Sequence, residues 1–308
     1  MTGYIISVLV SAGIFALLAQ GLNLHWGYTG LLNFGVVAFF AVGAYTMAVL
    51  VSVFDWPLWA AMAAAMLAAA VLGVLVALPA IRLRSDYLAI TTLAVGEICR
   101  IVLHSSPGVV DLTGGPSGIR GYSHDFFGLR ETLGLQWMTG LEFLMAAVWI
   151  VVLLVLLVVT VMIRSPWGRV LKGIREDEDA MRALGKNVVA YKMQSFAFGA
   201  ALAGLAGVFF ALNLSSITPE AFLPMISIYA WVIILIGGGG SLLGPVVGSV
   251  LFWALFNATT FIPSEWMSSQ DAAYLRLILV GLLIMVMVLL RPQGLLGNRK
   301  ELLRESRH

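Results

Sequence analysis

The sequence predicts an all-α, polytopic transmembrane helical bundle of about eight to ten spans. Of its 308 residues, 60% are hydrophobic and only 11% are charged, whereas soluble domains carry about 25% charged residues. No Asp, Glu, Lys or Arg occurs from Met1 to Phe54, and none occurs from Phe143 to Ile163. Because a bilayer core about 30 Å thick needs roughly 20 apolar helical residues, these charge-free runs indicate membrane spans.

Hydropathy and polar boundaries place the spans in order along one transmembrane domain, 1–308. The segment 222–236 is short and 28–54 is long and interrupted by glycine, so both are candidates for re-entrant or broken spans. A tight turn is expected at the glycine run Gly237 to Gly240. The predicted spans are 4–24, 28–54, 56–81, 86–103, 140–163, 193–213, 222–236, 242–261 and 272–290.

Basic residues in the loops predict the orientation, since Lys and Arg favour the cytoplasmic side. The loop 164–192 is rich in Lys and Arg, and the tail 291–308 is also basic, whereas the loop 104–138 holds only Arg120 and Arg130. Nine alternating spans then place the N-terminus outside and the C-terminus inside. We therefore expect 104–138 to be extracytoplasmic, either a passive connector or a shaped surface at the outer mouth.

Several functional classes are excluded by residues that the sequence lacks. Cys99 is the single cysteine, so no disulfide framework or cysteine-based metal site is expected. The four histidines show no HExxH spacing, and no phosphate-binding Gly-x-x-x-x-Gly-Lys-[Ser/Thr] loop occurs. The net charge of +2 does not indicate nucleic-acid binding. We expect no directly bound cofactor, no bound metal and no ATP site on this chain.

The loop 164–192 has the strongest local pattern. Leu171, Ile174, Met181 and Leu184 fall at near-helical spacing among charged residues, and Gly185 follows as a helix stop. This pattern predicts a short amphipathic helix. It fits either an interfacial helix resting on lipid headgroups or a docking helix for a soluble partner.

Motifs along nearly the whole chain resemble the permeases of branched-chain amino-acid ABC importers, most closely the LivM-type subunit. Near the N-terminus these are Asn23 with 27–35 and the run 82–93. Further on they are Gly96-Glu97-Ile98, 112–119, the 176–185 run, the glycine- and alanine-rich 197–207, and Arg291-Pro292-Gln293-Gly294-Leu295.

The resemblance implies the architecture and partners of that family. The expected partners are a homologous second permease, two ATPase subunits that use ATP, an extracytoplasmic substrate-binding protein and membrane lipid, in the bacterial cytoplasmic membrane. The implied cargo is a branched-chain or similar small amino acid, with urea or a short-chain amide as the alternative. An autonomous secondary transporter would need coupling carboxylates within the membrane, and an intramembrane enzyme would need a nucleophile and base pair.

The resemblance also makes 164–192 the coupling loop, the segment that inserts into the ATPase subunit. Ala180 and Gly185 match the family's Ala-to-Gly pattern, while Asp179-Ala180-Met181 departs from the usual Glu-Ala-Ala start of that signature. The implied ATPase-coupling residues are Arg175, Glu176, Asp179, Ala180, Arg182, Gly185 and Lys186.

Polar residues within apolar segments are candidates for the substrate path. Glu97 is an acidic residue at membrane depth, where charge is costly, and Arg100 lies three residues on. The two form either a local ion pair or part of the path. The candidate path residues are Asn33, Thr91, Thr92, Glu97 and Asn213, and we expect Asn33, Thr91, Thr92 and Asn213 to share a central cavity.

Overall fold

A computed structural model describes residues 2–80, 83, 85–258, 269–291 and 293–297, and within them the fold is helical. The nine predicted spans each correspond to a helix, and two two-residue strands pair on one face. In chain order the elements are α1 Thr2–Leu22, α2 Val36–Ser52, α3 Leu58–Ala80, α4 Ser85–Ser105, α5 Pro107–Thr113, β1 Ile119–Arg120, α6 His124–Thr132, α7 Gly140–Arg164, α8 Pro166–Glu176, α9 Glu178–Ala183, α10 Val188–Leu214, β2 Ser216–Ile217, α11 Met225–Gly237, α12 Gly244–Ala258 and α13 Ser269–Leu290.

Six helical segments among the described residues are long and apolar enough to cross a membrane. They are Gly3–Tyr28, Leu58–Pro79, Asp86–Ser105, Gly140–Arg164, Val188–Leu214 and Pro219–Gly237. Three shorter apolar helices accompany them: Val36–Ser52, Gly244–Ala258 and Tyr274–Met287. The fold class predicted from the sequence, a polytopic helical bundle, is therefore confirmed.

α10 forms the centre of the bundle and packs against α1, α2 and α3. It begins at Asn187, whose side chain accepts the Ala190 N–H at 3.1 Å. Its small residues let neighbouring backbones touch: a side chain at Gly43 of α2 would collide with the backbone of Gly204, and one at Gly21 of α1 with the carbonyl of Gly199. The glycines of the run 197–207 thus serve helix packing.

The predicted span 28–54 is interrupted, which corrects its boundaries. α1 continues through a π-helical turn, Asn23–Tyr28, and the chain then runs without helix until α2 begins at Val36. Gly30 has φ of 76°, a backbone conformation that favours glycine. The irregular backbone is buried inside the bundle, where its polar groups find partners within the protein.

The ends of the helices gather on two faces. One, the basic face, carries α8, α9 and the turns 23–30 and 238–243; the segment 293–297 joins it because the Leu295 N–H bonds the Ile236 carbonyl at 2.8 Å. The opposite face carries 53–57, 106–139 and 215–224. This grouping is what nine alternating spans require. Of the predicted tail 291–308, residues 298–308 lie outside the described residues.

The predicted amphipathic helix of 164–192 is two short helices rather than one. Asp177 separates them with an extended backbone, φ −154° and ψ 106°, and its side chain accepts the Ala180 N–H at 2.9 Å as the N-cap of α9. Leu171 and Ile174 of α8 are buried, whereas Leu184 is 72% exposed. The capping preference of Asp at 177 overrides the continuous apolar spacing.

Candidate coupling and translocation site

The interruption between α1 and α2 comprises the π-helical turn and the non-helical segment after it, 23–35. It is held by a fully buried pair, His25 and Asn33. His25 Nε2 lies 3.0 Å from the carbonyl oxygen of Phe196, and His25 Nδ1 lies 3.0 Å from Asn33 Nδ2. Because a carbonyl can only accept, Nε2 carries the proton and Nδ1 accepts from the Asn33 amide. Asn33 Oδ1 in turn accepts the Gly35 N–H at 2.9 Å. The pair therefore satisfies backbone groups that helix geometry leaves free.

Three neighbouring helices also bond to the interruption. Thr92 of α4 accepts the Phe34 N–H at 3.0 Å. From α11, Ser227 accepts the Val37 N–H at 3.1 Å, and the Trp231 indole donates to the Asn33 carbonyl at 2.9 Å. On the α10 side, the hydroxyls of Ser195 and Thr29 share a hydrogen bond at 2.6 Å, and both lie within hydrogen-bonding distance of the Leu24 carbonyl oxygen, at 3.0 and 2.9 Å. Non-helical backbone at membrane depth requires such internal partners.

The interruption is also joined to the turn between α11 and α12. Asn23 Nδ2 donates to the Ser241 carbonyl at 2.9 Å, and Asn23 Oδ1 accepts the Gly240 N–H at 2.8 Å. The tight turn expected at Gly237 to Gly240 is present, with positive φ at Gly238 and Gly240. The two breaks in the bundle therefore pack on each other at the basic face.

α8 of the coupling loop contacts the same interruption from outside. The Arg175 guanidinium donates to the carbonyl oxygen of Gly27, and Lys172 Nζ lies 5.8 Å from the centre of the Tyr28 ring. Leu171, one helical turn before Arg175, and Ile174 are buried. The first half of the coupling loop is thus fixed to the bundle rather than free.

α9 forms the projecting end of the coupling loop. The Gly185 N–H bonds the Arg182 carbonyl at 2.9 Å and the Lys186 N–H bonds the Met181 carbonyl at 3.1 Å, which is the Schellman arrangement. Gly185 has φ of 75°, so the predicted helix stop is confirmed. Glu178 accepts hydrogen bonds from Arg182 and from Lys192 of α10, whose side chain is largely buried.

The structure divides the proposed coupling residues into two groups. The α9 end exposes a continuous surface, with the Asp179 side chain 89% exposed; its members are Asp179, Ala180, Arg182, Gly185 and Lys186. Arg175 and Glu176 lie at the end of α8, and Arg175 bonds to Gly27. A role in contacting an ATPase remains a prediction for all seven residues.

The proposed path residues are not all in one place. Asn33 and Thr92 are buried at the interruption, and Thr91, the preceding residue of α4, is partly exposed. Asn213 lies 17 positions beyond Phe196 on α10, about 26 Å at 1.5 Å per residue. Glu97 forms the predicted ion pair, since Arg100 Nε donates to its two carboxylate oxygens at 3.2 and 3.1 Å. Whether these residues line a path remains a prediction.

Sequence reasoning overlooked the residues that hold the interruption, namely His25, Thr29, Ser195, Ser227 and Trp231. His25 could have been predicted as a buried hydrogen-bonding residue, because an ionisable residue between two apolar runs needs a partner within the protein. Among the described residues, no group of three or more His, Cys, Asp or Glu could hold a metal ion.

The loop on the opposite face is packed against the bundle. Ile119 of β1 pairs with Ile217 of β2, just beyond α10. The Tyr122 hydroxyl donates to the Ala211 carbonyl at 2.9 Å and the side chain is fully buried, and this burial raises the pKa of the phenol. Gly114 and Gly118 have φ of 68° and 73°. The segment 113–122 is therefore packed against the end of α10, and whether it is a connector or a functional surface remains a prediction.

Comparison with known proteins identifies the chain. A sequence model of the family described as "Branched-chain amino acid transport system / permease component" matches residues 4–288. Over 300 residues the chain is 36% identical to the permease protein LivM of the high-affinity branched-chain amino acid transport system of Salmonella typhimurium, covering 92% of this chain and 68% of that protein. LivM of Escherichia coli K12 is 35% identical with the same coverage.

A second kind of permease is also similar. LivH of Salmonella typhimurium, a permease protein of the high-affinity branched-chain amino acid transport system, is 28% identical over 53% of each chain. No solved structure matches. The interrupted helical bundle and its relatives define a multi-pass membrane permease, a transport subunit and not itself an enzyme. The chain belongs to the family of permease components of branched-chain amino acid transport systems, and the LivM-type resemblance of its motifs is confirmed.

Proposed function

We propose that this chain is the permease subunit of an ATP-driven importer that moves branched-chain or similar small amino acids across the bacterial cytoplasmic membrane. The names of its LivM relatives, permease proteins of branched-chain amino acid transport systems, support this cargo and favour it over urea or a short-chain amide. Because the chain has no phosphate-binding loop, ATP would be bound and hydrolysed by a separate subunit.

A bonded connection from the exposed α9 end to the interrupted helix carries this proposal. α9 is capped at Asp177 next to α8, Arg175 of α8 bonds to Gly27, and the interruption continues to Thr92 of α4 and Ser227 of α11. A displacement of α9 would therefore be transmitted to α1, α4 and α11. A channel or an ion-driven transporter has no need for such a projecting helical hairpin.

The partners follow from this arrangement and from the relatives. A homologous second permease of the LivH kind would complete the membrane part, and two ATPase subunits would bind the α9 ends. A substrate-binding protein would dock on the opposite face, which carries the segment 113–122 packed against α10. Membrane lipid would surround the bundle, and no nucleic acid would bind.

Uptake into proteoliposomes tests the proposal. Vesicles that contain the chain, the second permease, the ATPases and the binding protein should accumulate radiolabelled leucine, isoleucine or valine only when ATP is supplied on the α9 side. Vesicles that contain this chain alone should accumulate none. Uptake by the chain alone, without ATP, would refute the proposal in favour of an autonomous transporter. Preferential uptake of radiolabelled urea would show that urea, and not a branched-chain amino acid, is the cargo.

A further inference from the structure

α4 is the least apolar of the six membrane-length helices, yet it is also the least covered. Only 22% of its apolar stretch is buried within the described part of the chain, compared with 28% for α7 and 78% for α10. One side of α4 packs on α2, through Leu88, Thr92 and Gly96. The other side has no covering within the described residues.

The uncovered side of α4 is a single surface, which we call the α4 face. At 100° per residue its members fall within an arc of about 100°, and Ile90 and Ile98 are 65% and 57% exposed. Glu97 lies at one edge of this arc and its side chain is 39% exposed. The α4 face consists of Tyr87, Ile90, Ala94, Glu97, Ile98 and Ile101.

A lipid environment does not suit the α4 face. A carboxylate within a membrane span is costly unless it meets protein or water. α7 supplies the contrast, since its exposed side is apolar throughout, with Leu153, Leu154 and Leu157 each more than half exposed. The two helices are about equally uncovered, so the difference in polarity distinguishes a protein-facing helix from a lipid-facing one.

We propose that the α4 face is the surface on which the second, LivH-like permease docks, with the Glu97–Arg100 pair at the joint between the two subunits. The proposal rests on the importer function proposed above and specifies where its second permease binds. Arg100 lies beside one edge of the face, and its guanidinium donates hydrogen bonds to both carboxylate oxygens of Glu97. Lone pairs of the carboxylate remain for a hydrogen-bond donor of the partner.

Photo-crosslinking tests the location. In a Cys99→Ser background, Ile98→Cys and Ile101→Cys would be labelled with a benzophenone maleimide in membranes that contain the complete importer, with Leu154→Cys and Leu157→Cys on α7 as matched controls. We expect adducts with the second permease from the α4 positions and none from the α7 positions. Adducts from α7 and none from α4 would overturn the proposal, as would α4 adducts with a second copy of this chain.

ATP-driven amino acid uptake by the same membranes shows which proposal has failed, the docking surface or the importer function. If uptake persists while α4 gives no adduct with the second permease, the docking surface is wrong and the function stands. If uptake is absent from membranes of the unmodified protein, the proposed function fails instead.

A charge exchange tests the ion pair. The double variant E97R/R100E keeps an oppositely charged pair three residues apart on α4, but it places a cation inside the α4 face. We expect this variant to lose co-purification of the second permease by at least tenfold at unchanged membrane level. Unchanged co-purification would show that the pair only holds α4 together and would overturn its place at the joint.

Discussion

Arg175 of α8 donates a hydrogen bond to the carbonyl oxygen of Gly27, in the π-helical turn that ends the first span. This contact joins the exposed coupling loop to the backbone at the point where the membrane helix is interrupted. Lys172 and Tyr28 lie beside it. A mutation that removes this contact can therefore test whether the coupling loop acts on the interruption, while the surface that faces the ATPase stays intact.

Replacing Arg175 with Ala should reduce uptake about tenfold or more while the ATPase still co-purifies. A hydrogen bond to a charged group contributes about 1.5–3 kcal/mol, and each 1.4 kcal/mol corresponds to a factor of about ten. Transport and ATPase retention would be measured on the same membranes. Arg169→Ala, an exposed residue of the same helix, is the matched control and should have little effect. Equal losses in both variants would argue against the Gly27 contact.

Gly185→Asp should abolish transport and loosen ATPase association while the protein level in the membrane stays near normal. A Cβ at Gly185 would meet nothing within 4 Å, although the φ of 75° strains any side chain there, so a neutral variant with the same backbone strain is needed to isolate the effect of the charge on the partner. Gly185→Asn is the control, because Asn has nearly the same shape, is neutral and tolerates positive φ. Full uptake and retained ATPase in Gly185→Asp would show that α9 is not the docking element.

Ala180→Asp should act in the same way as Gly185→Asp, since Ala180 is exposed on the α9 end and its N–H is already capped by Asp177. Co-purification of the ATPase is the measurement. Ala183→Asp, also exposed on α9, tests whether the effect is specific to the Ala180 side. The tail variant Arg304→Ala, outside the described residues, should do little.

Asn33→Leu should destabilise the detergent-solubilised protein. The substitution removes the partners of the Gly35 N–H and of His25 Nδ1, both buried, and each unsatisfied buried group costs about 1–3 kcal/mol. The midpoint of thermal unfolding should fall accordingly. Thr91→Val, a partly exposed change on α4, should stay within about 0.5 kcal/mol. An unchanged midpoint for Asn33→Leu would contradict the bonding described for the interruption.

Cysteine accessibility tests the substrate path. In a Cys99-free background, Thr91→Cys and Asn213→Cys should react with a water-soluble maleimide, because both positions are partly exposed. Asn33→Cys and Thr92→Cys should react slowly, because these positions are 0% and 1% exposed. Fast labelling of Asn33→Cys without nucleotide would place the interruption on an open aqueous path.

Replacing 113–118 with a flexible linker of equal length should impair uptake and leave membrane insertion intact. The segment holds β1 against β2 and brings Tyr122 to the end of α10. Uptake and membrane level would be measured together, with a linker at the largely exposed 133–136 as control. Normal uptake with the 113–118 linker would reduce the loop to a connector.

The bundle could be predicted from sequence because membrane helices depend on a simple property, the length of apolar runs. The same runs could not reveal that 29–35 is non-helical, because Leu31, Leu32 and Phe34 are as apolar as a helix requires. The break depends instead on hydrogen bonds to Ser195, Ser227 and Trp231, which lie more than 160 positions away. Partners so distant in the chain leave no local pattern.

The coupling loop shows a similar division. Gly185 was predictable as a helix stop because the requirement for positive φ is local. The break at Asp177 was not anticipated, although Asp is a favourable N-cap, because Leu171, Ile174, Met181 and Leu184 suggest one continuous helix. The inward contact of Arg175 could not be read from a loop in which basic residues were interpreted only by charge.

The backbone contacts of α10 limit how the protein can move. Since Gly199 meets α1 and Gly204 meets α2 without intervening side chains, α10 cannot slide or rotate against them without steric collision. We therefore expect α1, α2 and α10 to move as one rigid unit, so that spin labels placed on any two of them keep a constant separation throughout the transport cycle. Flexibility is then expected at the junctions that bound α10, at Asn187 and at the left-handed Ser215.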